Sequence, residues 1–486
     1  MHESKNNPRI EGYDLARGLA IIGMVFVNFR VVLQLMGADV TGTGAGSWIA
    51  NWVTGRAAAT FVLLAGLGVA LLTQQAVDDT AKRQSAKWRL LARAFFLAVI
   101  GWPFFTVWEG DILHYYAAFF LTGALVFYWP IRWLLSATGI ITLLALPVLL
   151  VWERHWDFSS MTYNSLWTLD GQLMNFFLNG FHPLIPWLAF LLLGLALGRH
   201  LNRQPKDAPK LGFIALAVAL GSELISTVLV QWAIQNGMDT TEAKALLGVS
   251  PMPPLPQYIL AAGGCAVAVI CGCRWLGEKL QGNLILRPFN HLGQMALTVY
   301  IVHVFAGVFP LFIFTSKNPD YWTLGRCVAA TTAFCALATV FATAWRHWLP
   351  QGPVEWLMRR FSDFTDRRRW LALATSGALM GIIVTGMHTL EIQRVNENIN
   401  TFSQSLPDEK EFEARCTRWV IAKFFFRDDN VYEIWARKHF GSKSNFEDEW
   451  LTQMYFEYAK EQPMDETGFQ DWLSAKVEER IEVGNK

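Results

Sequence analysis

The chain has 486 residues, of which 53% are hydrophobic and only 17% charged, with a formal net charge of +1. Such a composition excludes an ordinary soluble domain and points to multiple membrane spans. The small net charge carries no sign of a nucleic-acid partner, because the charges are segregated along the chain rather than balanced.

The first apolar run is too long for a secretory signal, lacks a small-residue cleavage site and follows acidic residues, so it reads as a span. It carries Asp14 and Arg17 to the membrane edge and places Asn28 about 21 Å further along the axis. At about 100° per residue the three fall within roughly a third of the helix circumference. Charged groups at that depth are costly and usually paired or functional, so this polar stripe predicts one wall of a lined cavity.

Further apolar runs long enough to cross lie near 56–74, 90–107, 112–129, 133–152, 174–198, 211–233, 256–275, 293–315, 325–345 and 370–389, which makes about eleven with the first. Basic residues cluster after the second (Lys82, Arg83, Lys87, Arg89), sixth (Arg199, Arg203, Lys206, Lys210) and tenth spans (Arg346, Arg359, Arg360, Arg367). The loops between are poor in Lys and Arg. The positive-inside rule then sets the N-terminus in the cytoplasm.

Several polar residues fall inside or at the outer ends of these spans. Arg56 opens the second. Asp111 and His114 open the fourth and share one helix face at i,i+3. His182 lies near the outer start of the sixth beside Pro183 and Pro186, which break helical hydrogen bonding; broken backbone at that depth lines a cavity or is buried in protein. His303 sits inside the ninth. Singly, each has a structural explanation: an Asp14–Arg17 ion pair, a snorkelling Arg56, an interfacial His114 held by Asp111, a His182 that satisfies a freed carbonyl, a core His303 beside Tyr300. Together they form a set with one chemistry in common. A neutral imidazole held by a carboxylate is a general base for a hydroxyl or amine, or carries an acyl group itself, and a guanidinium steadies an oxyanion. The rival reading is a secondary transporter with an intramembrane Asp/Arg/His relay, although no two-fold repeat of these motifs is visible.

Five of the six cysteines lie in apolar segments, and neither a disulfide framework nor zinc spacing emerges, so no metal site is expected. The sequence divides into a membrane domain over 1–368, an additional membrane helix over 369–390 and an acidic tail over 391–486. The tail has too many aromatics for disorder, and Ser444-Asn-Phe-Glu447 reads as a capping box, so it is expected to form a small helical domain. The fold class is an all-α polytopic membrane bundle of about ten core helices plus an eleventh.

The pattern Arg9-x4-Asp14-x2-Arg17-Gly18-x-Ala20-x3-Met24-x3-Asn28 is followed by Gly55-Arg56-Ala57 leading to Phe61-x2-Leu64-x-Gly66, and by Gly110-Asp-Ile-Leu. With His182-Pro-Leu-Ile-Pro-Trp, Gly293-Gln-Met-Ala-Leu-Thr-x-Tyr300-x2-His303 and Gly352-Pro-Val-Glu-Trp356, the set resembles the YeiB-like membrane proteins of bacteria over about residues 9–360. That family is similar to the transmembrane acyltransferases, among them the lysosomal heparan-glucosaminide N-acetyltransferase. The resemblance implies transfer of an acyl group, acetyl in the first instance, from acyl-coenzyme A as co-substrate to an extracytoplasmic glycan or small-molecule acceptor. It implies a bacterial inner-membrane protein in contact with the lipid bilayer, with a homodimer as a further expectation; the eleventh span and the tail lie outside the resemblance, and the span count sets the tail outside the cytoplasm. One departure matters: the lysosomal enzyme carries its catalytic histidine in the loop after the first span, and Phe29–Gly55 contains none. The catalytic role then falls to His114, His182 or His303, unless the mechanism differs; the set expected first is His182 or His114, with Asp111 orienting His114 and Arg56 as electrophile. Asp14, Arg17, Asn28 and His303 are expected on the donor side.

Overall fold

The computed structural model describes residues 10–108, 110–147, 156–157, 162–163, 169–315 and 318–363. The eleventh span, the acidic tail and Arg9 lie outside the described residues. The chain divides into two compact units, residues 1–101 with 110–367, and residues 102–109 with 368–486. All packing described below belongs to the first; residues 102–107 of the second continue a helix.

With no water in the hydrocarbon layer, each backbone N–H and C=O must bond within its own segment, and a helix is the way an isolated segment does this. The described residues obey: α1 spans Glu11–Leu35, α2 Gly44–Val53, α3 Arg56–Thr73, α4 Thr80–Val107, α5 Leu113–Val126 and α6 Ile131–Leu143. After a two-residue antiparallel ladder, Trp156–Asp157 with Thr162–Tyr163, come α7 (Leu169–Met174) and α8 (Leu184–Arg203). Then follow α9 (Ala208–Gln235), α10 (Thr240–Leu247), α11 (Pro256–Lys279), α12 (Leu286–Gln294), α13 (Ala296–His303), α14 (Phe309–Thr315), α15 (Leu324–Trp348) and α16 (Pro353–Ser362). Among the described residues, eight helical segments are long and apolar enough to cross a membrane, and two shorter apolar helices, Leu113–Val126 and Ile131–Pro147, accompany them. These match the first ten runs read from the sequence, and the protein is an all-α, multi-pass membrane bundle.

The centre is built by α3, α8, α11 and α1. The α3–α8 crossing is close because both helices present glycine to each other. A Cβ on Gly66 would stand 2.0 Å from the Leu191 carbonyl oxygen, and one on Gly194 would stand 2.0 Å from that of Leu63. Small residues at such crossings let backbones approach until dispersion contacts accumulate, which matters in lipid where burial of apolar surface gives no drive. Helices α9 and α15 lie at the rim and show large apolar side chains outward, such as Phe213, Leu224, Trp232, Leu337 and Val340. Those faces suit acyl chains.

Among the described residues, two helical runs are interrupted by single π-turns, Asn175–Asn179 after α7 and Val304–Val308 after α13. Such turns often sit at functional sites. The first leads into Gly180-Phe181-His182; the second begins at the residue after His303. Just beyond the first, Ile185 leaves helical backbone at φ −106°, ψ 117°, where the two prolines predicted a break.

Candidate active site

Asp111 and His114 meet as the i,i+3 spacing requires. The His114 Nδ1 lies 2.8 Å from Asp111 Oδ2, and the His114 backbone N–H donates to the same oxygen over 3.2 Å. A carboxylate accepts, so Nδ1 carries the proton and the lone pair is left on Nε2. The pair is enclosed, with Asp111 fully buried and His114 nearly so. Gly101 of α4 lets the backbone at His114 come close: a Cβ there would stand 2.4 Å from the His114 backbone nitrogen.

A third residue completes the arrangement. Tyr300 on α13 donates its hydroxyl to Asp111 Oδ1 over 3.0 Å and accepts the Ile112 N–H over 3.1 Å. Asp111 therefore receives three hydrogen bonds, and its two oxygens are oriented by two different helices. Sequence reasoning noted Tyr300 only as a neighbour of His303. No local spacing could reveal a bond that joins positions 189 residues apart.

His303 makes the contacts expected of a core histidine beside Tyr300. Its Nδ1 contacts the Tyr300 carbonyl oxygen, which only accepts, so Nδ1 is the protonated nitrogen. Nε2 then accepts from Asn28 Nδ2 over 2.9 Å. Both ring nitrogens of this fully buried residue are used, and the pair ties α1 to α13 just past Tyr300. The Asn28 end of the polar stripe thus supports the helix that carries Tyr300. The other end is a 2.8 Å Asp14–Arg17 ion pair, with Gln294 Nε2 donating to Asp14 Oδ2 over 3.1 Å.

His182 lies one aromatic layer away. Tyr115 is flanked by both histidines, with ring centroids 4.0 Å from His114 and 6.1 Å from His182, and His182 stands edge-on to Trp187 at 4.7 Å. Its Nδ1 is buried with no hydrogen-bond partner among the described residues. The Tyr115 hydroxyl is anchored on Asn175 of the first π-turn at 3.0 Å.

Arg56 is not joined to this group by its hydrogen bonds. Its guanidinium pairs with Glu223 of α9, donates to the Trp52 carbonyl and lies 5.0 Å from the Trp52 ring. Glu223, which sequence reading passed over inside an apolar run, takes up the charge of Arg56.

A cavity of about 250 Å³ is lined by Arg17 of the stripe and by Tyr300. Arg17, Arg93, Gln294, Glu355 and Arg359 contribute polar groups to its lining, and Met24, Leu97 and Leu113 contribute apolar ones. Glu355 of α16 is spent on α13: its Oε1 accepts the Leu297 and Thr298 N–H groups at 2.7 and 3.0 Å, and its Oε2 accepts the Thr298 hydroxyl at 2.5 Å. No cluster of His, Cys, Asp or Glu suited to a metal ion is found among the described residues.

Residues 9–231 match the catalytic-domain profile of heparan-alpha-glucosaminide N-acetyltransferase, and residues 195–365 match the profile of a protein family of unknown function, DUF418. An uncharacterized protein of Bacillus subtilis (strain 168), YxaH, is 23% identical over 415 aligned residues, which take in 73% of this chain and 94% of the relative. The resemblance read from the sequence stands on both profiles. The first profile contains Asp14, Arg17, Asn28, Arg56, Asp111, His114 and His182. Tyr300, His303 and Glu355 fall in the second.

Proposed function

We propose that this chain, a YeiB-like membrane protein related to the heparan-glucosaminide N-acetyltransferase type, moves an acyl group from an acyl-coenzyme A, acetyl in the first instance, to the hydroxyl or amine of an extracytoplasmic glycan or related acceptor. The observation that carries this reading is the buried Asp111–His114 pair, held from the far side by Tyr300, which itself lines the cavity.

The chemistry follows from the tautomer. With Nδ1–H held by Asp111, the lone pair of His114 Nε2 accepts the proton of the acceptor as its oxygen or nitrogen attacks the thioester carbonyl carbon. Asp111 stabilises the imidazolium so formed. When the tetrahedral intermediate collapses, the carbon–sulfur bond breaks and the imidazolium returns its proton to the departing thiolate. The dry surroundings strengthen each of these electrostatic contacts. His182, across Tyr115, has a buried unpartnered nitrogen, which supports a role for it in binding the acceptor. The donor enters from the cytoplasm, where the positive-inside rule puts Arg17 and Arg359, and the bacterial inner membrane is the expected location.

The deciding experiment uses the full chain in proteoliposomes with radiolabelled acetyl-coenzyme A and a panel of amino sugars and glycans. Label should appear on an acceptor with wild type and be lost with His114→Ala, while His182→Ala raises the acceptor KM. Wild-type transfer by both variants would remove the assignment.

A further inference from the structure

Tyr300 stands on a helix that is bounded by irregular backbone at both ends. α13 is eight residues long, starts after Met295 at φ −113°, ψ 23°, and runs into the π-turn that begins at Val304. Its N-cap residue makes no side-chain hydrogen bond to the first turn, and the first N–H groups of a helix have no intrahelical partner. Glu355 of α16 supplies one from outside, its Oε1 accepting the Leu297 and Thr298 N–H groups. The arrangement is reciprocal. The buried Thr298 hydroxyl donates to Glu355 Oε2 over 2.5 Å and accepts the Val354 N–H of α16 over 3.2 Å. Gly352 lets the two helix starts close on each other: a Cβ there would stand 2.2 Å from Glu355 Oε2 and 2.9 Å from Thr298 Oγ1. Three of these four bonds end on backbone N–H groups, so the clasp fixes the helices themselves and not only two side chains.

We propose that Glu355 and Thr298 are positioning residues for the general base. Their clasp fixes the start of α13, hence the Tyr300 hydroxyl two residues on, hence Asp111 and the His114 imidazole that Asp111 orients. Little slack is tolerated, because the 3.0 Å bond from Tyr300 to Asp111 is lost once its partners part by about 0.6 Å. The role in catalysis rests on the acyl-transfer reading; the hold of the clasp on Tyr300 does not.

The test joins hydrogen exchange read by mass spectrometry to acyl-transfer kinetics, with the full chain in nanodiscs. Thr298→Val removes the hydroxyl at constant shape. Gly352→Ala removes no hydrogen-bonding group and only wedges the clasp open, which keeps the test decisive if the first variant fails to fold. In each, the Ile112 N–H, which donates to Tyr300 and to neither clasp residue, should exchange about threefold to tenfold faster. Exchange at the α3–α8 crossing should stay as in wild type. Turnover should fall by about tenfold with donor KM within about threefold. Thr298→Ser, which keeps the hydroxyl, should match wild type in both readouts. In a Tyr300→Phe background the clasp substitutions should cost less than about a further twofold in turnover, since the group they act through is gone. Unchanged exchange at Ile112 in both variants, or turnover losses that multiply with that of Tyr300→Phe, overturns the proposal. The two readings fail separately. Faster exchange at Ile112 in a protein that transfers no acyl group leaves the hold on Tyr300 standing and removes the enzyme; acyl transfer with exchange and turnover unchanged in both variants does the reverse.

Discussion

Tyr300 and Asp111 are joined by a 3.0 Å hydrogen bond that spans 189 positions of the chain. The bond links the part of the protein that resembles an acetyltransferase catalytic domain to the part that matches a family of unknown function. A carboxylate that accepted only from His114 would be free to swing with α5. With Tyr300 on its other oxygen it is fixed relative to the cavity.

Tyr300→Phe removes that bond while keeping the ring. The Ile112 N–H and Asp111 Oδ1 are left buried and short of a partner, a cost of about 1–3 kcal/mol. Turnover should fall by roughly tenfold to a hundredfold with donor binding little changed, because base orientation is lost and not the cavity. Initial rates and donor KM measured side by side decide it; an unchanged kcat would show that Tyr300 only packs.

Asp111→Asn keeps the volume and removes the charge. An amide in this position either donates to Nδ1 and moves the proton to Nε2, or accepts from Nδ1 without stabilising the imidazolium. Turnover should drop by about 10²–10⁴, the scale of general-base catalysis. The measurement is label transfer per folded molecule, with folding checked by gel filtration. Retention of more than a tenth of wild-type turnover would count against the pair as the base.

Asn28→Leu should act on stability rather than chemistry. It leaves Nε2 of the fully buried His303 without its donor, which costs about 1–3 kcal/mol, and it loosens α1 from α13. Thermal unfolding should move down while turnover per folded molecule stays within about threefold at saturating donor. A large loss of turnover in a stably folded variant would instead place His303 in the reaction.

Arg56 and Glu223 form a pair between α3 and α9, with the Arg56 side chain buried and that of Glu223 about a quarter exposed. Arg56→Gln alone leaves a carboxylate uncompensated inside an apolar segment and should destabilise by up to about 3–5 kcal/mol, less to the extent that Glu223 reaches solvent. If the pair only pins the two helices, the double variant Arg56→Gln with Glu223→Gln regains stability and turnover together. A double variant that is stable and inactive would return Arg56 to the electrophilic role that its sequence position suggested.

Burial pushes the Glu355 carboxyl above its ordinary value of 4.5. A raised acid holds its proton more tightly folded than unfolded, so its stabilising contribution is complete below the ordinary value. It is lost as pH climbs through the raised one. The melting temperature of wild type should therefore decline as pH rises above the ordinary carboxyl value of 4.5 more steeply than that of Glu355→Gln, whose amide oxygen still accepts one of the α13 N–H groups. Parallel slopes would exclude Glu355 as the titrating group.

Much of this protein could be read along the chain. Membrane spans follow from run length and composition because lipid imposes the same demand on every segment, whatever its neighbours. The Asp111–His114 pair was legible for a similar reason: i,i+3 contacts are set by helix geometry alone. The Asp14–Arg17 pair is a second case.

The limits of that reading are equally physical. Glu223, Tyr300 and Glu355 carry no local signal, since their partners lie 167, 189 and 57 or 58 residues away in sequence. His303 looked available for chemistry until the Tyr300 carbonyl and Asn28 were seen to occupy its two nitrogens. Arg93 sat unremarked inside an apolar run. Local composition and helical periodicity thus determined a multi-pass helical bundle and a short set of polar residues within it. Which of those residues share a site, which merely hold helices together, and where the cavity runs were decided only when helices distant in sequence packed side by side, because hydrogen bonds and charge act over a few ångströms of space and not along the chain.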